Sequence, residues 1–78
     1  MACLRLFASA REAAGLKCDT VPGATVEEVL QIACERYGQD FSELLGICQV
    51  WCNGSKVSYD TRVGDQDEIA VLPPISGG

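Results

Sequence analysis

The last six residues carry the group best suited to chemistry, the terminal carboxylate. The chain ends Pro73-Pro74-Ile75-Ser76-Gly77-Gly78. Adjacent prolines favour a stiff, extended backbone and cannot donate hydrogen bonds to a sheet. At about 3.3 Å per residue, six residues project roughly 20 Å from a folded body. The two glycines carry no side chain, so we expect a thin arm on which nothing obstructs attack at the last carbonyl.

The carboxylate of Gly78 is an anion at neutral pH, because the typical pKa of such a group is about 3.5. It becomes an electrophile only if another protein converts it to an acyl-adenylate with ATP. A sulfur donor can then produce a thiocarboxylate, whose sulfur is a good nucleophile. The chain contains no histidine, the commonest metal ligand and general base. We therefore expect no permanently bound cofactor and no metal, with ATP consumed by the partner.

A glycine pair at a chain end is by itself a weak signal, because it is equally compatible with an inert, disordered end. The preceding residues make the combination more specific. A strand rich in apolar residues, then two prolines, then one apolar residue, leads directly into the glycines. This order predicts an arm that is displayed by the body of the protein.

Length and charge limit the classes of function. The chain has 78 residues, enough for one domain, with six basic and eleven acidic residues and a net charge of −5. This balance disfavours nucleic acid and anionic membranes and favours a basic protein partner. No apolar run approaches the roughly 20 residues that cross a bilayer, and the start lacks the pattern of a secretory signal. Five cysteines, an odd number, indicate free thiols in a reducing compartment, so we expect a cytosolic protein.

The hydrophobic pattern predicts a ββαβ(β)β order. Thr25 followed by Glu28 is a capping box, and apolar residues at helical spacing follow it up to Gly38. Asn53-Gly54 is the strongest short hairpin signal. We predict strands over 2–9, 17–21, 47–52, 56–59 and 68–72, a loop or helical turn over 10–16, a helix over 26–37 and a further short helix over 41–46.

This order favours an α+β fold of the β-grasp, or ubiquitin-like, type. The expected sheet is mixed, has about four or five strands and packs on one main helix. The final strand is nearly all apolar, so we place it in the centre of the sheet, parallel to the first strand and buried on both faces. We assign residues 1–72 to the β-grasp domain and residues 73–78 to an extended C-terminal tail.

The cysteines on the predicted strand 47–52 are expected to serve packing. Cys48 and Cys52 would stand about 13 Å apart along a strand, whereas a disulfide needs Cα atoms within about 7 Å. Cys34 lies beside the apolar face of the main helix and is expected in the core. Trp51 shares the strand, and we expect it to be at least partly buried.

Three segments resemble one protein family, the small, sulfur-carrying subunits of molybdopterin synthase. The ending DEIAVLPPISGG, residues 67–78, is the most specific. The opening is also similar to that family, as is the segment 53–60; their matching residues are Leu6-Phe7-Ala8, Arg11-Glu12, Gly15 and Val57-Ser58. The similarity spans nearly the whole chain.

The resemblance implies a specific role. An adenylating enzyme would activate Gly78 with ATP, and a persulfide donor would convert it to the thiocarboxylate. The tail would lie in the active site of a large subunit, with Gly77 allowing it to thread there. Sulfur would pass to cyclic pyranopterin monophosphate and form the dithiolene of molybdopterin. The large subunit would supply the catalytic lysines in a heterotetramer of two small and two large subunits, so the chain would not be an enzyme on its own.

The resemblance also implies a docking patch near the tail, with Arg11 as a polar contact. An exposed aromatic residue beside an apolar tail is a candidate anchor, as aromatic residues are enriched at interfaces. Lys56 stands at one edge of this patch, where an apolar residue is expected. The implied partner-binding residues are Phe7, Arg11, Leu72, Pro73, Pro74, Ile75 and Ser76.

Three other functions use the same features. The chain could carry sulfur for thiamine synthesis, although such carriers are usually shorter and generally lack the two prolines. It could be a ubiquitin-like modifier attached to lysines, since nitrogen can also attack an adenylate. It could be a plain β-grasp binding module with an inert tail.

Overall fold

A computed structural model describes residues 1–74. Eight elements follow one another along this part of the chain, and the helix that begins after Thr25 is the longest. In order they are β1 (Ala2–Leu6), α1 (Ala8–Ala14), β2 (Cys18–Val21), α2 (Val26–Tyr37), α3 (Gln39–Leu45), β3 (Gln49–Cys52), β4 (Ser55–Lys56) and β5 (Glu68–Leu72).

The described strands form one sheet in the order β2-β1-β5-β3-β4. β5 runs parallel to β1, with Leu6 opposite Val71, and antiparallel to β3. Both hairpins, β1–β2 and β3–β4, are antiparallel. The predictions of a mixed sheet, a main helix over 26–37 and a central last strand parallel to the first are therefore confirmed.

One face of the sheet packs against the helices and forms the core. The largest fully buried side chains come from both layers, and Phe41 of α3 is the largest of them. Its ring meets that of Tyr37 edge-on, with the ring centroids 5.1 Å apart. The sheet contributes Leu4, Val21, Ile69 and Val71, and α2 contributes Val26, Val29 and Leu30.

The N-terminus of α2 is capped by two parts of the chain. The amide of Glu28 donates to the Thr25 hydroxyl at 3.2 Å, as the capping box predicts. The two preceding amides, of Val26 and Glu27, donate to backbone carbonyls of the segment after β4, at 2.9 and 2.8 Å. Helix amides that would otherwise be unpaired are thus satisfied. Gly23 lies so close to this turn that an added Cβ would stand 2.8 Å from the amide nitrogen of Val29.

Several predicted element boundaries were wrong, among them those of the two short helices, which cover Ala8–Ala14 and Gln39–Leu45. β1 ends at Leu6, because Ala8 adopts a positive φ of 51° that turns the chain into α1. Ala8 is therefore exposed and does not extend the buried face of β1. β3 begins at Gln49, two residues later than predicted, and β4 consists of Ser55–Lys56 alone.

The prediction that β5 is buried on both faces was also wrong. Ile69 and Val71 face the core and are fully buried, whereas Ala70 and Leu72 on the opposite face are only half-buried. The apolar run indicated a central strand correctly. It could not show that no helix covers the second face within residues 1–74.

The Asn53-Gly54 turn is held to the start of β5. Both turn residues have positive φ values, 51° and 85°, as a tight two-residue hairpin requires. The Asn53 side chain donates to a carboxylate oxygen of Asp67 at 2.8 Å, and its carbonyl oxygen accepts from the amide of Glu68 at 2.9 Å. These bonds fix where β5 begins.

A cluster of three side chains closes the outer edge of β2. Between β1 and β2, the backbone amide of Leu6 donates to the carbonyl of Lys17, so every second residue of β2 from Lys17 onwards is hydrogen-bonded to β1. Thr20 is not one of these residues, so its amide and carbonyl point away from β1, to the outer edge of the sheet. Asp19 accepts from that amide at 2.9 Å, and Arg36 donates to that carbonyl at 3.0 Å. Unpaired strand edges promote strand addition, so this arrangement protects the edge.

Asp19 is the centre of the cluster. Its carboxylate accepts from the Tyr37 hydroxyl at 2.7 Å and from Arg36 at 3.0 Å. These bonds stabilise the charged carboxylate and lower the pKa of Asp19 below its ordinary value, and the bond from Tyr37 has the largest effect. Burial acts in the opposite direction and raises the pKa, but its effect is smaller. The stabilisation is therefore present at neutral pH and is lost as pH falls through the lowered pKa.

We predict that Tyr37→Phe raises the pKa of Asp19 and moves acid unfolding to higher pH, because the largest stabiliser of the charged carboxylate is removed. Carbon-detected NMR titration of the Asp19 carboxyl group and urea unfolding across the acid range measure the two effects. Tyr59→Phe is the matched control, since it removes a hydroxyl outside the cluster. An Asp19 titration that is identical in Tyr37→Phe and in the wild type would contradict this account.

Candidate functional site

The tail leaves the sheet at its centre. Gln49 lies opposite Leu72 in the last residue pair between β3 and β5. Leu72 and Pro73 are half-buried, and Pro74 is exposed. The chain thus emerges from a strand that is paired on both sides, at the edge of the uncovered face.

Four of the predicted site residues, Ile75, Ser76, Gly77 and Gly78, lie outside the described residues. The extended tail over 73–78 and the roles of these four residues stay predictions.

The strand registers place the predicted docking residues in one row. Phe7 follows Leu6, which lies opposite Val71, so it comes level with Leu72 across β1 and β5. Its backbone is extended, with φ −126° and ψ 149°, so it continues the alternation of β1 onto the uncovered face. Gln49 lies on the other side of Leu72. Phe7, Leu72 and Gln49 therefore cross the sheet at the end where the tail begins.

Phe7 is 41% exposed, the exposure expected of an aromatic anchor that is not part of the core. Arg11 lies one helical turn later, and its amide donates to the Phe7 carbonyl at 3.4 Å. The guanidinium-bearing side chain is exposed. Sequence reasoning grouped these two residues with Leu72 and Pro73, and the fold brings all of them to the same end of the sheet.

A second row crosses the uncovered face one step further from the tail. Arg5, Ala70, Trp51 and Lys56 lie side by side on β1, β5, β3 and β4. Trp51 is half-buried, as predicted. Lys56 is exposed beside it, so this edge of the face is basic and the apolar patch does not extend across β4.

A depression of about 500 Å³ opens beside the base of the tail. Its lining residues are Ile47, Gln49, Leu72, Pro73 and Pro74. Sequence reasoning missed Ile47 and Gln49. Ile47 is 64% exposed, and Gln49 alternates with the buried Val50. Gln49 is the one polar residue of the predicted strand 47–52, and this was the sequence signal that could have placed it on the exposed face.

The cysteines do not contribute to this site. All five are free thiols, as predicted; Cys52 is buried and Cys48 is half-buried. Cys48 donates from sulfur to the carbonyl of Leu44 at 3.2 Å. Burial raises the pKa of both thiols, so they are poor nucleophiles at neutral pH. Cys34 is half-buried against the core, which is less burial than predicted.

Within residues 1–74, no group of three or more histidine, cysteine or carboxylate side chains is placed to hold a metal ion. None of the helices in that part of the chain is long and apolar enough to cross a membrane.

The fold and the site together define a ubiquitin-like β-grasp protein in which Leu72, Pro73 and Pro74 leave the central strand at the end of an uncovered, partly apolar sheet face. The sequence matches the ThiS family over residues 4–78, and the chain belongs to that family. The predicted family resemblance and the β-grasp fold are thereby confirmed.

Individual relatives are similar over nearly the whole chain. A molybdopterin synthase sulfur carrier subunit from Anopheles gambiae is 35% identical over 83 residues, which cover 96% of this chain and 89% of the relative. Small archaeal modifier protein 1 from Methanosarcina acetivorans, known from a solution structure, is 28% identical, with a TM-score of 0.89. The superposition covers 99% of this chain and 95% of the modifier protein. A putative molybdopterin converting factor subunit 1 from Pyrococcus furiosus is 26% identical, with a TM-score of 0.81, covering 95% and 97%.

We predict that Phe7→Ser lowers the free energy of unfolding by only about 1 kcal/mol, whereas Leu4→Ala lowers it by about 2–5 kcal/mol. Leu4 is fully buried, while Phe7 lies on the uncovered face. Urea unfolding monitored by Trp51 fluorescence compares the two variants. If Phe7→Ser were as destabilising as Leu4→Ala, Phe7 would be a core residue and not a docking residue.

Proposed function

We propose that this chain is the sulfur-carrying small subunit of a molybdopterin synthase. The observation that carries the proposal is that the tail follows a central strand and begins at the apolar end of the uncovered sheet face, in a chain whose family match continues to residue 78. The similarity to a sulfur carrier subunit over 96% of the chain supports it.

In this proposal the reactive group is the carboxylate of Gly78. A carboxylate oxygen attacks the α-phosphorus of ATP on an adenylating enzyme, and pyrophosphate leaves. A persulfide sulfur then displaces AMP, and a thiol reduces the resulting acyl disulfide to the thiocarboxylate. The thiocarboxylate sulfur finally bonds to cyclic pyranopterin monophosphate, and water cleaves the resulting thioester, which leaves the sulfur on the pterin and returns the carboxylate of Gly78. Two such transfers supply the two sulfur atoms of the dithiolene. The chain itself supplies no acid, base or metal to these steps and is not a catalyst on its own.

The body of the chain contributes positioning. The tail enters the active site of the large subunit, which supplies the catalytic lysines, while the row of Phe7 and Leu72 docks on its surface. Pro73 and Pro74 keep the arm extended, which reduces the entropy lost when it threads into the partner. Ile75 and Ser76 continue these contacts towards Gly77. The complete assembly contains two small and two large subunits and acts in the cytosol.

One observation favours a second candidate function, a protein modifier. The chain is similar to small archaeal modifier protein 1 over 99% of its length, with a TM-score of 0.89. A lysine amine can attack the same acyl-adenylate, and the product is then an isopeptide bond. The two functions share the activation step and differ in the nucleophile that follows. Sulfur carriage for thiamine synthesis shares the thiocarboxylate and differs in the acceptor.

Intact-protein mass spectrometry tests the proposal. The chain is incubated with ATP, a matching adenylating enzyme and a persulfide donor, and then with the large subunit and cyclic pyranopterin monophosphate. We expect one oxygen to be replaced by sulfur and molybdopterin to form. Deletion of Gly78 should abolish both products and leave the urea midpoint unchanged, since β5 ends at Leu72 and the core residues described all precede Pro73. Gly64→Ala is the control, because a Cβ at this exposed glycine meets no atom within 4 Å.

The outcomes separate the alternatives. A thiocarboxylate that yields no molybdopterin would point to another sulfur acceptor. Attachment to lysines of other proteins would identify a modifier. Sulfur transfer that survives the deletion of Gly78 would overturn the proposal.

A further inference from the structure

The outer edge of β2 is closed by side chains and not by another strand. β2 stands at one end of the sheet order, so one of its sides has no neighbouring strand among residues 1–74. The backbone groups of Cys18 and Thr20 point to that side, because the residues that alternate with them bond to β1. Asp19 accepts from the Thr20 amide at 2.9 Å, and Arg36 donates to the Thr20 carbonyl at 3.0 Å.

The spacing of the outward groups makes this edge complementary to itself. In an antiparallel pair, two facing residues can exchange two hydrogen bonds. If a second copy of β2 lies antiparallel with Asp19 on the twofold axis, Cys18 of each copy faces Thr20 of the other, and four bonds form within β2. An axis at Thr20 would bring in Pro22, which has no N–H. An axis at Cys18 would need Leu16, which precedes the strand.

The Asp19 carboxylate opposes this pairing in two ways. With the axis at this residue, the two Asp19 side chains lie directly opposite each other, with Cβ atoms about 4.5–5.5 Å apart, and like charges at that distance repel. The same carboxylate occupies the Thr20 amide and holds Arg36 at 3.0 Å. Loss of its charge removes the repulsion and weakens both contacts. Arg36 is exposed, so its side chain can then move aside without a change in the core.

We propose that the outer edge of β2 is a second interaction surface, which pairs with β2 of another copy of the chain and which the ionised Asp19 keeps closed. The two five-stranded sheets then join into one continuous sheet. β1 separates β5 from the junction, so the base of the tail stays free. The pairing is therefore independent of the proposed function.

Acid is the condition that opens the edge. The groups that face Asp19 from α2 are Tyr37 and Arg36, and the residue opposite it on β1 is the apolar Leu4. Its neighbour on β2, Cys18, carries a thiol, which is neutral in acid. Because the bonds from Tyr37 and Arg36 lower the pKa of Asp19, the edge stays closed at neutral pH. It opens as pH falls through that lowered pKa and the carboxylate is protonated.

Sedimentation equilibrium of the full chain at pH 7 tests the inference. Asp19→Asn removes the charge and keeps the shape of the side chain. Glu43→Gln removes one charge from an exposed position on α3 and is the matched control. We expect the wild type and Glu43→Gln to be monomeric. The association constant of Asp19→Asn should be about ten- to a hundredfold larger, the order expected for relief of two like charges about 5 Å apart near a surface.

A double variant, Asp19→Asn with Thr20→Pro, locates the contact. Proline removes the outward amide of Thr20, which takes no part in the ladder with β1, and proline is tolerated in edge strands. We expect this variant to be monomeric, and urea unfolding followed by Trp51 fluorescence confirms that it is folded. Hydrogen exchange gives an independent measurement, because the Cys18 amide of Asp19→Asn should exchange more slowly as the protein concentration rises.

Three results would overturn the inference. They are an Asp19→Asn chain no more associated than Glu43→Gln, a dimer that survives in the folded double variant, and a Cys18 amide whose exchange is independent of concentration. In the wild type, acid should produce the same protection of Cys18. The sulfur transfer assay does not depend on any of these results, so the proposed function stands or falls separately.

Discussion

The pairing of β5 on both sides is the constraint on which the site depends. β1 holds it in parallel register and β3 in antiparallel register, so neither edge of this strand is free. The Asn53 side chain fixes its start through bonds to Asp67 and Glu68. A tail attached to an edge strand would fray with that strand. Attached here, its base is held by two ladders, and only the residues after Leu72 are available to extend.

The sheet has two faces with different purposes. The inner face and the helices form the complete set of fully buried large side chains described, so the stability of the domain depends mainly on the inner face. The outer face carries half-buried or exposed residues, among them Leu72, Trp51 and Phe7. Substitutions on this face therefore separate binding from folding. That separation makes the proposed docking residues accessible to experiment.

The features that could be predicted from the sequence are those that a few neighbouring residues determine. The capping box at Thr25, the Asn53-Gly54 turn and the apolar last strand each depend on a few neighbouring residues, and all three define elements that the fold contains. The positive φ of Ala8 depends on how α1 packs back onto the sheet, which no local pattern of an alanine shows.

The site follows the same division. Phe7 and Leu72 were predicted because family resemblance named them. Gln49 was missed because the register of β3 against β5, not the identity of the residue, brings it to the tail, and Ile47 lies two residues before β3. A polar residue in a short strand indicates that its position is exposed, but it does not indicate which residue of the neighbouring strand lies opposite.

The distribution of charge distinguishes encounter from docking. The acidic residues lie mainly on α2, α3 and the loop before β5, among them Glu27, Asp40 and Asp65. The outward-facing positions of the strands carry two cations, Arg5 and Lys56, and the anion Glu68, which is paired with Arg5 at 3.4 Å.

A basic partner would thus be attracted by the whole molecule, yet the face proposed to meet it is nearly neutral and partly apolar. Long-range attraction raises the rate of encounter, whereas the fit of apolar groups determines the final register. Added salt should consequently slow association with a basic partner more than it speeds dissociation, because the contacts that hold the docked complex are largely uncharged.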